Sequence, residues 1–189
     1  MLIPLSLNIL INVTRGKAEL FQLKDMISTF FGYKKYFNGK IKHFRQRVWN
    51  RNDSIHDVTI AEIFSRQNDN NSIMLKMDIE GAEYRVIQDV MVFHNKIPVM
   101  AIEFHDTGPL RETFVRNINL ILEQYDLVHL HGNNYVGIAP DGLPDVLEIT
   151  FLHKKYNTDD VNEYREKLPL RGLDVPNNPN KPDYILEFS

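Results

Sequence analysis

Carboxylates, histidines and amides gather in three short polar segments, each of which follows an apolar run. In chain order the segments contain Asp78, Glu80 and Glu83; Glu103, His105 and Asp106; and His129, His131, Asn133 and Asn134. A carboxylate beside a histidine can accept a proton from a substrate hydroxyl. If the apolar runs are neighbouring strands of a parallel sheet, their carboxyl ends meet at one edge. The sequence therefore predicts a single polar site assembled from several strand ends.

The first segment has a catalytic and a structural interpretation. In an extended chain Asp78 and Glu80 point the same way, and Ile79 points into the structure. The structural interpretation is that Glu80 and Glu83 favour the positive end of the following helix, while Asp78 caps it. We favour the structural interpretation for Glu83. For Asp78 and Glu80 we favour catalysis, because an acidic pair directly after a strand faces the crevice; Gly81 would permit close backbone approach.

The third segment also has alternatives. His129 and His131 alternate on one strand, a spacing compatible with metal ligation beside Glu103 but also common on an ordinary strand face. With His105 they form a candidate site for metal-assisted hydrolysis. Asn133 and Asn134 either supply the left-handed backbone of a turn or, together with His131, bind a polar substrate.

The apolar pattern predicts the elements that position these groups. Residues 73–77 form an apolar run typical of a strand buried on both faces, and a helical stripe follows Gly81. Residues 99–104 predict a second strand, followed by a turn and a helix to residue 122. Residues 127–131 and 146–152 predict two more strands that follow each other without a helix, so one is antiparallel. The pattern predicts an α/β fold.

Residues 75–84 read Leu-Lys-Met-Asp-Ile-Glu-Gly-Ala-Glu-Tyr. This resembles the Lys-x-Asp-x-Glu-Gly-x-Glu turn of the FkbM family of methyltransferases. Residues 58–63, 102–105 and 129–135 are similar in order, so the resemblance covers roughly residues 57–152. It implies a Rossmann-like class I methyltransferase fold, with a mostly parallel sheet and an antiparallel strand near the C-terminus. It also implies S-adenosylmethionine-dependent methylation of a hydroxyl on a small-molecule or glycan acceptor, such as a sugar or natural product.

In that family picture the methyl donor lies across the strand ends and contacts Asp78 and Gly81. Asp78 and Glu80 line the transfer site, with Glu103 and His105 near the acceptor. A Gly-x-Gly loop for the donor is not found, since Gly16, Gly32 and Gly39 stand singly. The N-terminal part is then either truncated or a diverged strand that still completes the sheet. A noncatalytic module that binds a glycan or a protein is the alternative function.

Composition excludes several classes of protein. The 189 residues fit one domain, in which residues 1–56 are the diverged or truncated part, 57–155 the recognisable core and 156–189 a tail. A net charge of -3 argues against nucleic-acid binding as the main role, and the absence of cysteine excludes disulfides and thiolate chemistry. The apolar run 2–13 is too short to span a bilayer and suits a buried strand. It also lacks a signal-peptide pattern, so we expect a cytoplasmic protein.

The segment from residue 14 to 49 mixes basic and aromatic side chains. Such a mixture can stack bases and bind phosphates of single-stranded nucleic acid. We favour the alternative, in which these amphipathic side chains cover a core.

Overall fold

The computed structural model describes residues 28–29, 32, 35–36, 41–67, 72–157 and 167–187. The chain divides into two units, residues 1–45 and 46–189. The strand expected at residues 2–13 lies outside the described residues, as does most of the basic and aromatic segment. The single domain and its internal boundaries stay predictions.

The second unit opens with a small parallel strand pair and a capped helix. Strand β1 (Arg47–Val48) pairs with β2 (Asp57–Val58), and helix α1 (Ile60–Ser65) follows. Thr59 caps α1: its hydroxyl accepts from the Glu62 backbone N–H at 3.3 Å, and the Glu62 carboxylate accepts from the Thr59 N–H at 2.8 Å. This reciprocal arrangement is a capping box, which stabilises a helix N-terminus.

The elements that carry the polar segments follow the predicted order. They are β3 (Met74–Met77), α2 (Glu83–Met91), a 3-10 turn (His94–Lys96), β4 (Val99–Phe104), α3 (Arg111–Leu122), β5 (Tyr125–Gly132), β6 (Leu147–His153) and a second 3-10 turn (Lys154–Tyr156). The four long strands form one sheet in the order β3-β4-β6-β5. The alternation of strands and helices confirms an α/β fold.

The sheet is mixed. β3 and β4 are parallel, whereas β6 is antiparallel to both β4 and β5. The antiparallel strand expected near the C-terminus is therefore confirmed. Two of the three strand pairs are antiparallel, so the expected mostly parallel pairing is not observed. β3, β4 and β5 nevertheless run in the same direction, because β6 alone is reversed between two of them.

The two faces of the sheet differ in chemistry. Met100, Ile102 and Phe104 of β4 are almost fully buried and pack in one core with Val86 and Ile87 of α2. The intervening positions form a polar face, which comprises Lys76, Ala101, Glu103, His129, His131, Glu148 and Thr150. Alternation along each strand produces this division.

Strand β3 is not buried on both faces as expected. It pairs only with β4 in the described sheet, and Met74 is 72% exposed. An apolar run does not distinguish a central strand from an edge strand, because the neighbour that covers it is set by the topology.

The C-terminal tail, described from residue 167 to 187, follows the polar face as a loop closed by a bridge between Leu168 and Leu186. Residues 168–182 contain no helix or strand, only isolated bridges, turns and bends. None of the helices in the described ranges has the length and apolar character needed to span a bilayer.

Candidate functional site

The ends of β3 and β4 bring three of the predicted catalytic side chains together. Because these strands are parallel, Asp78 and His105, which follow them, lie at the same edge of the sheet. One ligand atom each of Asp78, Glu80 and His105 lies within 4.8 Å of the others. The convergence that strand alternation predicted for this edge is observed for these three residues, which we call the strand-end cluster.

The backbone is unusual at this edge. Glu80 has φ 55° and Asp106 has φ 54°, and they are the non-glycine residues with positive φ within the described chain. Left-handed backbone is unfavourable for a residue with a Cβ, and such conformations concentrate at functional sites. Gly81 has φ 91°, and an added Cβ would meet open space apart from Asp106 Oδ2 at 3.8 Å. The positive φ, rather than crowding, is what requires glycine at position 81.

Glu83 lies beneath the cluster as a buried carboxylate. Its side chain is 0% exposed, and its Oε1 accepts from the backbone N–H groups of Ile79 at 3.0 Å and Gly81 at 3.2 Å. The same oxygen lies 3.3 Å from Nδ1 of His105. Glu83 is the first residue of α2, so the interpretation that it favours the positive end of the helix agrees with its position. Its contact with the histidine adds an orienting role.

Asp78 does not cap α2. Ala82 occupies the N-cap position and no side chain caps the helix. The structural interpretation of Asp78 is therefore wrong, and the side chain stays exposed at the strand end. Glu80 is also exposed, with 87% of its side chain accessible, and its Oε2 lies 3.4 Å from Nε2 of His105.

His105 is held on both sides of its ring and through its backbone. Its Nδ1 faces Glu83 and its Nε2 faces Glu80. The hydroxyl of Tyr84 donates to the His105 carbonyl at 2.7 Å. Burial raises the pKa of Tyr84, and the charges of Glu83 and Asp106 raise it further, so the phenol stays protonated as a donor. Tyr84 was not among the predicted site residues, although it belongs to the motif.

Glu103 lies beside the cluster but outside its three-residue group. Burial raises the pKa of its carboxyl; a hydrogen bond from Asn133 at 2.9 Å opposes this shift, and the nearby charge of Asp78 reinforces it. A carboxylate with a raised pKa is a better proton acceptor than an ordinary one. Asn133 is thus placed against a predicted catalytic residue.

A cleft of about 470 Å³ opens on the polar face of the sheet. Lys76, Glu103 and Thr150 line it from the strands, and Leu173 and Asp174 line it from the C-terminal tail. Glu103 therefore belongs to the wall of the cleft, and it lies close enough to Asp78 and His105 for their charges to affect its pKa. The cleft and the cluster thus adjoin at Glu103.

The two histidines of β5 line the same cleft but are paired with the tail. Nε2 of His129 lies 3.1 Å from Asp174. His131 lies 3.3 Å from Glu148 and 3.0 Å from Asp183. Burial lowers the pKa of His131, but its hydrogen bonds to the two carboxylates outweigh this and raise it.

The ligand set imagined for metal-assisted hydrolysis is not assembled. That set required Glu103, His105, His129 and His131 to converge, and among the described residues the one group of three or more within ligating distance is Asp78, Glu80 and His105. His105 lies at the end of β4, while the β5 histidines lie two strands away, because β6 is inserted between β4 and β5.

Asn134 is an anchor for the tail. It is 1% exposed, and its amide donates to the backbone carbonyls of Asn178, Lys181 and Pro182 at 3.0 to 3.2 Å. Its Oδ1 accepts from the Asn178 N–H at 2.6 Å. No polar atom of this amide is left for a substrate. Asn134 lies in a turn and Asn133 accepts from the Tyr135 N–H, but neither residue supplies the left-handed backbone that was expected, because neither has a positive φ.

Lys76 and Glu148 are site residues that the sequence reasoning missed. Lys76 is the first residue of the family-like motif and points into the cleft beside β4. Glu148 alternates with Leu147 and Ile149, so a period-two pattern marked it as part of a polar strand face. The tail carboxylates Asp174 and Asp183 had no such signal, because loop residues carry no periodicity.

Comparison with known proteins adds one finding. The family model described as "Methyltransferase FkbM domain" matches residues 4–128, which is well over half of the chain. The match begins long before residue 57 and so includes the segment in which no glycine-rich loop was found. No curated protein and no solved structure matches the chain.

Proposed function

The chain belongs to the FkbM methyltransferase family, and on that premise we propose that it is an S-adenosylmethionine-dependent O-methyltransferase acting on a polyhydroxylated acceptor, such as a sugar or natural product. The observation that carries the proposal is the junction of the strand-end cluster with the cleft. The cluster lies where ligands bind in open α/β sheets. The three same-direction strands β3, β4 and β5 support a Rossmann-like sheet with β6 inserted in reverse.

The residues of the cleft suit an acceptor with several hydroxyl groups. Glu103, Glu148 and His129 offer acceptors or donors for hydroxyls, Lys76 offers a cation, and Leu173 adds an apolar contact. A few polar groups around such a cavity fix the orientation of a small ligand. We propose that one hydroxyl is presented toward Glu103 at the junction with the strand-end cluster.

Glu103 is the proposed proton acceptor. During transfer the acceptor oxygen forms a bond to the methyl carbon, the bond between that carbon and the donor sulfur breaks, and the hydroxyl proton passes to a base. The raised pKa of Glu103 makes it a suitable base, and Asn133 holds its carboxylate in place. Glu83 and Tyr84 fix the position of His105, and His105 orients the groups around the acceptor oxygen.

The charges at the strand ends fit the methyl donor. S-adenosylmethionine supplies an electrophilic methyl group on a positively charged sulfonium. Asp78 and Glu80 are exposed carboxylates that suit positive charge, and Gly81 leaves open space beside them. We propose that Asp78 and Gly81 contribute to donor binding.

The test is a calorimetric titration of the full chain with S-adenosylmethionine and with S-adenosylhomocysteine. We expect saturable binding of both ligands. Asp78→Asn should weaken S-adenosylmethionine more than S-adenosylhomocysteine, since only the former carries the sulfonium charge. The matched control is Glu123→Gln, which removes one exposed carboxylate at the end of α3, and it should bind both ligands as the parent chain does.

The outcomes separate the candidate functions. A folded chain that binds neither ligand would refute the proposal and favour the noncatalytic binding module. Binding with equal affinity by the parent and Asp78→Asn chains would support the enzyme and remove Asp78 from the donor site. If the parent chain methylates a sugar hydroxyl and Glu103→Gln binds the donor but does not methylate that acceptor, the assignment of the base is supported.

A further inference from the structure

Four carboxylates lie at or beside the strand-end cluster, which contains one imidazole. Asp78, Glu80 and Glu83 surround the ring of His105, and Asp106 lies beside Gly81. Across the described ranges, the ion pairs that involve these carboxylates are with His105, and none is with a lysine or arginine. One imidazole therefore lies among several carboxylates. A divalent cation would neutralise more of their negative charge than the imidazole does.

Glu83 provides an independent sign of a missing partner. The carboxylate is 0% exposed, and its Oε2 is buried without a hydrogen-bond partner. Its Oε1 lies against Nδ1 of His105. A buried carboxylate with an unsatisfied oxygen is unfavourable unless positive charge lies close by. The contact of Glu83 with His105 places this buried charge next to the strand-end cluster.

The contact between Glu83 and His105 has the form that metal sites use. A carboxylate that accepts from Nδ1–H fixes the tautomer of the ring and leaves the lone pair of Nε2 pointing outward. Nε2 lies 3.4 Å from the Glu80 carboxylate. When the ring is neutral with its proton on Nδ1, two acceptors face each other there, and they repel unless a cation lies between them. His105 is 17% exposed and Glu80 is 87% exposed, so an ion from solvent can reach the position.

We propose that Asp78, Glu80 and His105 bind a divalent first-row metal ion, with Glu83 as the residue that orients His105. Manganese and the neighbouring first-row metals bind carboxylate oxygens and imidazole nitrogens, the two kinds of ligand present here, whereas calcium prefers oxygen ligands alone. Three protein ligands leave positions open on the metal. The binding of the ion does not depend on methyl transfer.

The role of the ion rests on the proposed function. An open position at the junction with the cleft suits a hydroxyl of the acceptor, and a bound cation lowers the pKa of such a hydroxyl. Glu103, which is next to the cluster but outside its ligand group, then remains free to take the proton. In this arrangement Asp78 is shared between the ion and the methyl donor, and Glu103 alone is assigned to proton transfer.

The experiment is a titration of the full chain with Mn²⁺ alone. Binding is measured as the loss of the electron paramagnetic resonance signal of free Mn²⁺. We expect one saturable site per chain. Glu80→Gln and His105→Gln should each weaken Mn²⁺ binding by about tenfold or more, because each removes a ligand. Glu123→Gln, with the same loss of one charge at an exposed position, should leave the affinity unchanged.

Each outcome decides the metal proposal without use of S-adenosylmethionine. If His105→Gln does not fold by circular dichroism, the exposed Glu80→Gln variant decides. A folded parent chain without saturable Mn²⁺ binding, or variants that bind as tightly as Glu123→Gln does, would overturn the site. Mn²⁺ binding by a chain that fails to bind the methyl donor would support the site while the proposed function fails.

Discussion

The structure makes a specific prediction about Asn134, whose replacement should release the C-terminal tail. In Asn134→Ala the amide contacts to Asn178, Lys181 and Pro182 are lost. An amide has two N–H groups, so its three donor contacts share two hydrogens, and its oxygen makes a further contact with the Asn178 N–H. We count these as three full hydrogen bonds.

The expected magnitude follows from burial. A hydrogen bond contributes about 1 kcal/mol net, so three of them amount to about 3 kcal/mol. The tail carbonyls that lose their donor can bind water only if the tail moves away. This is a large fraction of the total free energy of unfolding of a typical domain. Asn133→Ala is the matched control, because that partly buried neighbour has one hydrogen bond to Glu103 and a local one to Tyr135 N–H. Its expected loss is about 1 kcal/mol.

Two measurements check the prediction. Urea unfolding gives the change in the free energy of unfolding, and limited trypsin digestion reports exposure of the tail through cleavage after Arg171. Asn134→Ala should lose clearly more stability than Asn133→Ala and should be cleaved faster in the tail. Equal stability losses and equal cleavage rates for the two variants would refute the anchoring role and reopen Asn134 as a substrate ligand.

Three further predictions concern other contacts in the second unit. Because hydrogen bonds to Asp183 and Glu148 raise the pKa of His131, its stabilisation is complete below pH 6.5 and is lost as the pH rises through the raised value; urea unfolding across this range should show the decline in the parent chain and not in His131→Gln. Burial lowers the pKa of His153, so its contribution is complete above pH 6.5 and is lost as the pH falls through the lowered value, a decline that should disappear in His153→Gln. Thr59→Ala removes half of the capping box and should reduce the free energy of unfolding by about 1 kcal/mol, with an unchanged value counting against the role of the cap.

The sequence alone determined the elements and the strand-end chemistry. Strand β4 and helix α3 lie within a residue of their predicted bounds, because hydrophobic periods of two and about 3.6 are local properties. The convergence of Asp78, Glu80 and His105 was also predictable, since two parallel strands that end in polar residues end at the same edge. The motif around Asp78 indicated the family that the match to residues 4–128 shows.

Only the tertiary structure decided which polar residues remain available to a ligand. Asn134 and His131 belong to the same polar segment as Asn133, yet both have partners that lie 44 to 52 residues further along the chain, in a tail without periodicity. The insertion of β6 between β4 and β5 separated His105 from the β5 histidines. Strand order and loop contacts depend on which distant segments pack together, and the spacing of residues within one segment contains no information about that choice.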